Sequence, residues 1–132
     1  MGVPEAIRRL VRQRADGRCE YCRMRERWNL FERHHIEHIQ AQQHGGGDDP
    51  ENLALACNHC NFLKGPNLTS IDPDGCNLVK LFNPRVDKWD EHFRLEGRII
   101  VGLTATGRTS VFLLDMNESD RVQLRLRFLD DW

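Results

Sequence analysis

Long apolar runs are missing from this chain. No stretch approaches the roughly 18 to 20 apolar residues that a membrane-spanning helix requires. The opening segment MGVPEAIRRLVRQR also lacks the apolar core of a secretory signal, so a cytoplasmic protein with no membrane partner is expected. Net charge is nearly absent, at −1, and gives no global sign of a polyanionic partner. Internal repeats and low-complexity tracts are absent too, which argues against a solenoid or a disordered tail.

What is there suits a folded domain, or a small module with a second lobe packed against it. The chain has 132 residues, of which 30% are charged and 39% hydrophobic. Charge is unevenly placed. Residues 1–33 carry nine Arg against five acidic residues (+4), residues 34–75 one Lys against six (−5), and residues 76–132 nine of each. A basic N-terminal third beside an acidic middle fits a phosphate-contacting face next to a cation-binding centre, and equally a solvated helix face.

Four of the five cysteines form two pairs, Cys19–Cys22 and Cys57–Cys60, separated by 34 residues. Without a secretory signal, such pairs point to metal rather than to disulfides. The i, i+3 spacing lets one tight turn aim two sulfurs at one ion, and two such knuckles complete a closed tetrahedral zinc site. Its role would be structural, since no position is left for water. Cys76 lies outside both pairs and is expected to be a partly buried thiol.

The remaining pattern predicts an α+β chain. Residues 4–14 read as a helix with Ile7, Leu10 and Val11 on its apolar face, ended by Asp16-Gly17. Residues 30–40 read as a short strand or hairpin arm, residues 42–50 as a glycine-rich loop, and residues 52–56 as a second strand. A helix should follow over residues 58–64, stopped by Gly65-Pro66. Farther on, residues 72–75 form a turn and residues 77–82 a strand. Residues 98–104 and 109–116 resemble two hairpin arms around residues 105–108. A last helix, capped by Asn117, Ser119 or Asp120, should run to Leu129.

The cysteine gap contains His34-His35-Ile36-Glu37-His38-Ile39 and Asn52-Leu53-Ala54-Leu55, and Asn61 follows the last cysteine. The stretch CEYC…HHIEHI…GGGDDPENLALACNHCNFLKG, about residues 17–66, resembles the HNH endonucleases of the ββα-metal fold. The likeness is strongest to bacterial members with a four-cysteine zinc site and to the resolvase-like branch.

That resemblance implies an HNH nuclease core with its N-terminal helix over residues 1–66, and a C-terminal extension over residues 67–132, a β-hairpin and terminal helix, packed on it. It implies hydrolysis of double-stranded or branched DNA, with His38 as the general base and Asn52 holding the loop and base in place. Glu37 and Asn61 would ligate a catalytic Mg²⁺, Mn²⁺ or Ni²⁺, and Cys19, Cys22, Cys57 and Cys60 a structural Zn²⁺. Two departures stand out: Glu37 replaces the more usual Asp, and Gln40 stands where Pro is common.

His35 is a candidate second ion ligand, phosphate contact or supporting hydrogen bond. Lys64, His44 and Arg18 are candidate phosphate contacts. His34 reads as structural or solvent-facing, and Trp89, His92 and Phe93 as core aromatics rather than base-stacking ones. Two rivals to a nuclease remain, an inactive zinc-stapled nucleic-acid-binding module and a protein-interaction domain. Monomer and dimer both stay open, the resemblance to the resolvase-like branch being compatible with a dimer.

Overall fold

In the computed structural model, which describes residues 2–132, helix α1 (Glu5–Arg14) begins directly after Pro4 at φ −57°. Proline suits this position because its missing N–H would have no helical partner. Ile7 and Val11 face inward one turn apart and Ala15 continues the stripe, whereas Leu10 points outward and is 45% exposed.

Strand β1 (His35–His38) pairs antiparallel with β2 (Leu53–Ala56), in a register that sets His38 opposite Leu53 and Glu37 opposite Ala54. Helix α2 (Asn58–Lys64) follows β2 after one residue and packs on both strands. All four β2 residues are buried, and Leu53 and Leu55 join Val11 and Ala15 in a small apolar cluster. Each buried Val or Leu side chain stabilises by roughly 1.5–3 kcal/mol.

The outer edge of β2 has its own partners. Glu20 N donates to Leu55 O at 2.8 Å, Leu55 N donates to the Glu20 carboxylate at 2.9 Å, and Arg14 donates to Leu53 O at 2.7 Å. The first cysteine knuckle thus finishes the backbone pairing that a two-stranded sheet leaves open. α2 ends at Gly65, whose φ of 50° a residue with a Cβ would resist.

The chain divides into two compact units, Met1–Pro66 and Asn67–Trp132. The second holds a hairpin of β3 (Thr69–Ile71) and β4 (Leu78–Lys80). A single turn, α3 (Trp89–His92), leads into a second hairpin of β5 (Phe93–Glu96) and β6 (Ile99–Gly102). Helices α4 (Ala105–Leu113) and α5 (Ser119–Arg127) complete it. Trp89 and Phe82 pack on the buried Phe93, with Phe82 and Phe93 edge-to-face at 5.2 Å, and the His92 ring meets Phe82 edge-on. Phe82 and Phe93 are core, whereas Trp89 and His92 are half-buried at its edge. No helix among the described residues is long and apolar enough to cross a membrane.

One expectation fails in this unit. Residues 98–104 and 109–116 do not pair with each other: β6 pairs backward with β5, and residues 105–113 are helical. β-Branched Thr106, Thr109 and Val111 favour a strand locally, but tertiary packing overrides that preference. Thr104 caps α4, its hydroxyl accepting from Gly107 N at 3.0 Å, and Ser110 Oγ accepts from Phe82 N at 2.9 Å. The last helix is capped by Glu118, not by its neighbours, and Cys76 is exposed rather than partly buried.

A Cβ built on Gly107 would lie 2.0 Å from the carbonyl oxygen of His92, so α4 approaches the end of α3 and Gly102 of β6 only because that atom is absent. Gly107→Ala should therefore destabilise the second unit by about 1–3 kcal/mol. Amide exchange along β5 and β6 measures this, and unchanged protection would refute the close approach as a constraint.

Candidate active site and metal centre

The two cysteine pairs converge at the base of the hairpin. Cys19 Sγ accepts from Cys22 N at 3.5 Å, and Cys57 Sγ, capping α2, accepts from Cys60 N at 3.4 Å. All four sulfurs lie within 4.8 Å of one another and are buried, with Cys22 and Cys57 Sγ 3.7 Å apart. Tetrahedral zinc with Zn–S bonds of about 2.3 Å sets its sulfurs about 3.8 Å apart. None of the four is joined in a disulfide, and the 3.7 Å between Cys22 and Cys57 is well beyond a sulfur–sulfur bond.

The cluster can therefore hold a zinc ion. Burial, then the neighbouring sulfurs, push the Cys19 thiol well above its ordinary value, and for Cys60 the neighbouring thiols lead and burial adds. Four thiolates this close repel one another in a dry site, and a divalent cation removes that penalty.

Glu37 and His38 are adjacent and face opposite ways, as strand alternation requires. Glu37 is buried. Tyr21 OH, from within the first knuckle, donates to Glu37 Oε2 at 2.7 Å. Lys64 Nζ sits 2.8 Å from Glu37 Oε1 and donates to Ile39 O at 2.8 Å. The Oε1 contact is an ion pair without hydrogen-bond geometry. Burial pushes the Glu37 carboxyl up from its ordinary range, against the opposing pull of Lys64 and Tyr21.

His38 stands at the other face, with its side chain 21% exposed, and its Nε2 is 2.7 Å from Asp48 Oδ1. Asp48 arrives on the glycine-rich loop, and Asn52 anchors that loop. Asn52 Oδ1 accepts from Gln40 N at 2.9 Å, while its Nδ2 donates to Gln40 O at 3.0 Å and Gly47 O at 2.9 Å. The side-chain amide thus extends the β1–β2 ladder past its last backbone pair, Ile39 N to Asn52 O at 2.8 Å. Gly46 lies against this end of β1, where a Cβ would fall 1.7 Å from Gln40 O.

A family model, HNH endonuclease, matches residues 19–67. Residues 19–67 are an HNH segment. The match spans both cysteine pairs, the β1–β2 hairpin and α2, with the four-sulfur cluster inside it. The family is one of endonucleases. Among curated proteins and among solved structures, none matches the chain significantly.

Within the HNH segment the other candidates are scattered. Asn61 is half-buried on α2, and its amide makes no hydrogen bond among the described residues. His35 is exposed, and its Nε2 is 3.1 Å from Asn58 Oδ1. His34 is buried and structural, its Nε2 2.9 Å from Met24 O, and burial lowers its basicity.

Of the expected phosphate contacts, His44 is exposed on the loop and Arg18 donates to Arg23 O at 3.3 Å within the knuckle. Lys64 is a correction: its ammonium is turned inward onto Glu37 and Ile39, leaving no cation at that place for a phosphate. Cationic side chains instead line a groove of about 660 Å³ beside α1 and the start of β1, with Arg8, Arg12, Arg33, His35 and Glu32 in its wall, although Arg12 is already paired with Glu26 at 2.6 Å.

Two contributors escaped the sequence reading. Tyr21 sits inside a knuckle, where a packed aromatic is unremarked, and Asp48 lies in a GGGDDP run that signals only a turn.

Two outcomes are expected. Purified protein should carry about one zinc per chain, lost in Cys57→Ser, and zinc-free protein that kept amide protection in β1 and β2 would refute the cage as a fold determinant. Lys64→Met should cost the N-terminal unit about 3–5 kcal/mol by leaving a buried carboxylate unpaired. Adding Glu37→Gln should restore part of the loss, as read by amide exchange. Equal loss in single and double variants would show that Lys64 acts only through Ile39.

Proposed function

We propose that the HNH segment hydrolyses DNA phosphodiester bonds, with His38 as the general base. The carrying observation is the partly exposed imidazole at the end of β1, anchored by Asp48 at 2.7 Å, in a segment that also holds a buried four-sulfur cluster. Neutral imidazole removes a proton from water, the hydroxide oxygen bonds to phosphorus, and the bond to the departing sugar oxygen breaks. The groove lined by Arg8 and Arg33 suits the flanking backbone phosphates, whose recognition by arginine is sequence-independent. The knuckle zinc would shape this site without touching substrate.

The second ion that the family resemblance implies fits less well. A divalent cation at Glu37 would meet the Lys64 ammonium already 2.8 Å from Oε1, while Tyr21 occupies Oε2. Glu37 joins an ion only if Lys64 withdraws. Asn61, with its amide unengaged, is the better-placed of the two expected ligands. The engagement of Glu37 favours a second reading, a zinc-stapled nucleic-acid-binding module without catalysis.

Supercoiled plasmid incubated with the full chain and Mg²⁺, Mn²⁺ or Ni²⁺ separates these readings. Nicking by the native protein should fall at least roughly 100-fold in His38→Ala. Equal nicking by both proteins would overturn the assigned base. Binding without nicking in any of the three metals would establish the non-catalytic module.

A further inference from the structure

We propose that Asp48 is the positioning residue of this site: it holds His38 through Nε2, so that Nδ1 is the nitrogen that takes the proton from water. This rests on the reading of His38 as base. It begins from the 2.7 Å approach of Asp48 Oδ1 to His38 Nε2. An ionised carboxylate only accepts hydrogen bonds, so the neutral ring must carry its proton on Nε2. The lone pair then lies on Nδ1, and the two nitrogens have fixed and different duties. When Nδ1 takes up its proton, the ring becomes an imidazolium already paired with a carboxylate.

An exposed His–Asp pair ordinarily stabilises little, because both side chains must be ordered to make it. Here the ordering is supplied beforehand. Asp48 is 41% exposed, but both sides of its loop are tied down. Gly47 O accepts from Asn52 Nδ2, and Gly46 N donates to Ala41 O at 3.0 Å. On the other side Asp49 caps the short 3₁₀ turn Pro50–Asn52 by accepting from Glu51 N at 2.9 Å. The missing Cβ of Gly46 lets the loop cross β1 closely enough for Asp48 to reach His38.

Asn52 makes no hydrogen bond to His38 among the described residues. Its three bonds go to Gln40 and Gly47, one residue from Asp48. Asn52 therefore acts on the base through Asp48, in series rather than in parallel. Losses caused by Asn52→Ala and Asp48→Asn should accordingly fall short of additive when combined.

The test uses the full chain with two readouts. In plasmid nicking, Asp48→Asn should lower kcat about 10- to 100-fold with little change in KM, as for partners that orient a functional imidazole. In long-range ¹H–¹⁵N spectra of the neutral ring, native His38 should be the Nε2–H tautomer, and Asp48→Ala should mix the two tautomers.

A native Nδ1–H tautomer, or spectra unchanged in Asp48→Ala, would overturn the assignment. So would native-rate nicking by Asp48→Asn beside an inactive His38→Ala, an outcome that leaves the base itself intact. Native-rate nicking by His38→Ala would instead remove the base on which the proposal rests. The tautomer spectrum of the native protein needs no variant to fold and no activity.

Discussion

Four buried thiols within 4.8 Å of one another are the constraint around which the N-terminal unit is organised. They come from two turns 34 residues apart, and each turn also performs a second structural task. The first supplies Glu20 to the free edge of β2, and the second supplies Cys57 as the cap of α2. Separating the sulfurs would therefore expose backbone groups of β2 and the first turn of α2 together. The apolar cluster beside them, Val11, Ala15, Leu53 and Leu55, is small for a unit of this length. Closing the long loop through a metal cage would supply what such a core lacks.

A buried polar chain carries that constraint to the reactive strand. Tyr21 lies between the cysteines of the first knuckle and its hydroxyl reaches Glu37. Lys64, at the far end of α2, reaches the same carboxylate and the carbonyl of Ile39. Glu37 thus joins knuckle, strand and helix at one point. A buried ion pair contributes little net stability against an apolar replacement, but once present it penalises any movement that separates its members. The strand bearing His38 is fixed from beneath by that penalty.

The cysteine spacing and the order helix, strand, loop, strand, helix were legible because each rests on short-range signals. Ile7 and Val11, the Asp49-Pro50 turn and the Gly65-Pro66 stop all act within a few residues. The segment of residues 98–116 was misjudged because its helix has little apolar asymmetry. What makes residues 105–113 helical is the Thr104 cap and the fit of Gly107 beneath His92, and the second of these is a contact between distant residues. At the site, the sequence placed His38 and Asn52 in one neighbourhood. It could not show that Lys64 turns inward, since a lysine ending a helix beside glycine has the pattern of a solvated cation. Nor could it show Asp48, because two successive acids before proline carry an equally good turn explanation.

The adjacent residues Glu37 and His38 mark the division of labour in this hairpin. Alternation along β1 sends one inward to a lysine and a tyrosine, and the other outward to solvent and a loop carboxylate. Two acidic groups therefore flank one short strand in opposite environments. Burial raises the affinity of Glu37 for a proton and surrounds it with fixed partners, so it is suited to holding geometry. Asp48 remains partly hydrated, on a loop whose shape is set by backbone and amide hydrogen bonds, so it meets the ring from the solvent side. Exchanging the two roles would require turning the strand over, because a one-residue slip in register moves every side chain to the other face. Pairing His38 with Leu53, and extending that register through Asn52 and Gln40, is thus what keeps the imidazole on the wet side of the hairpin.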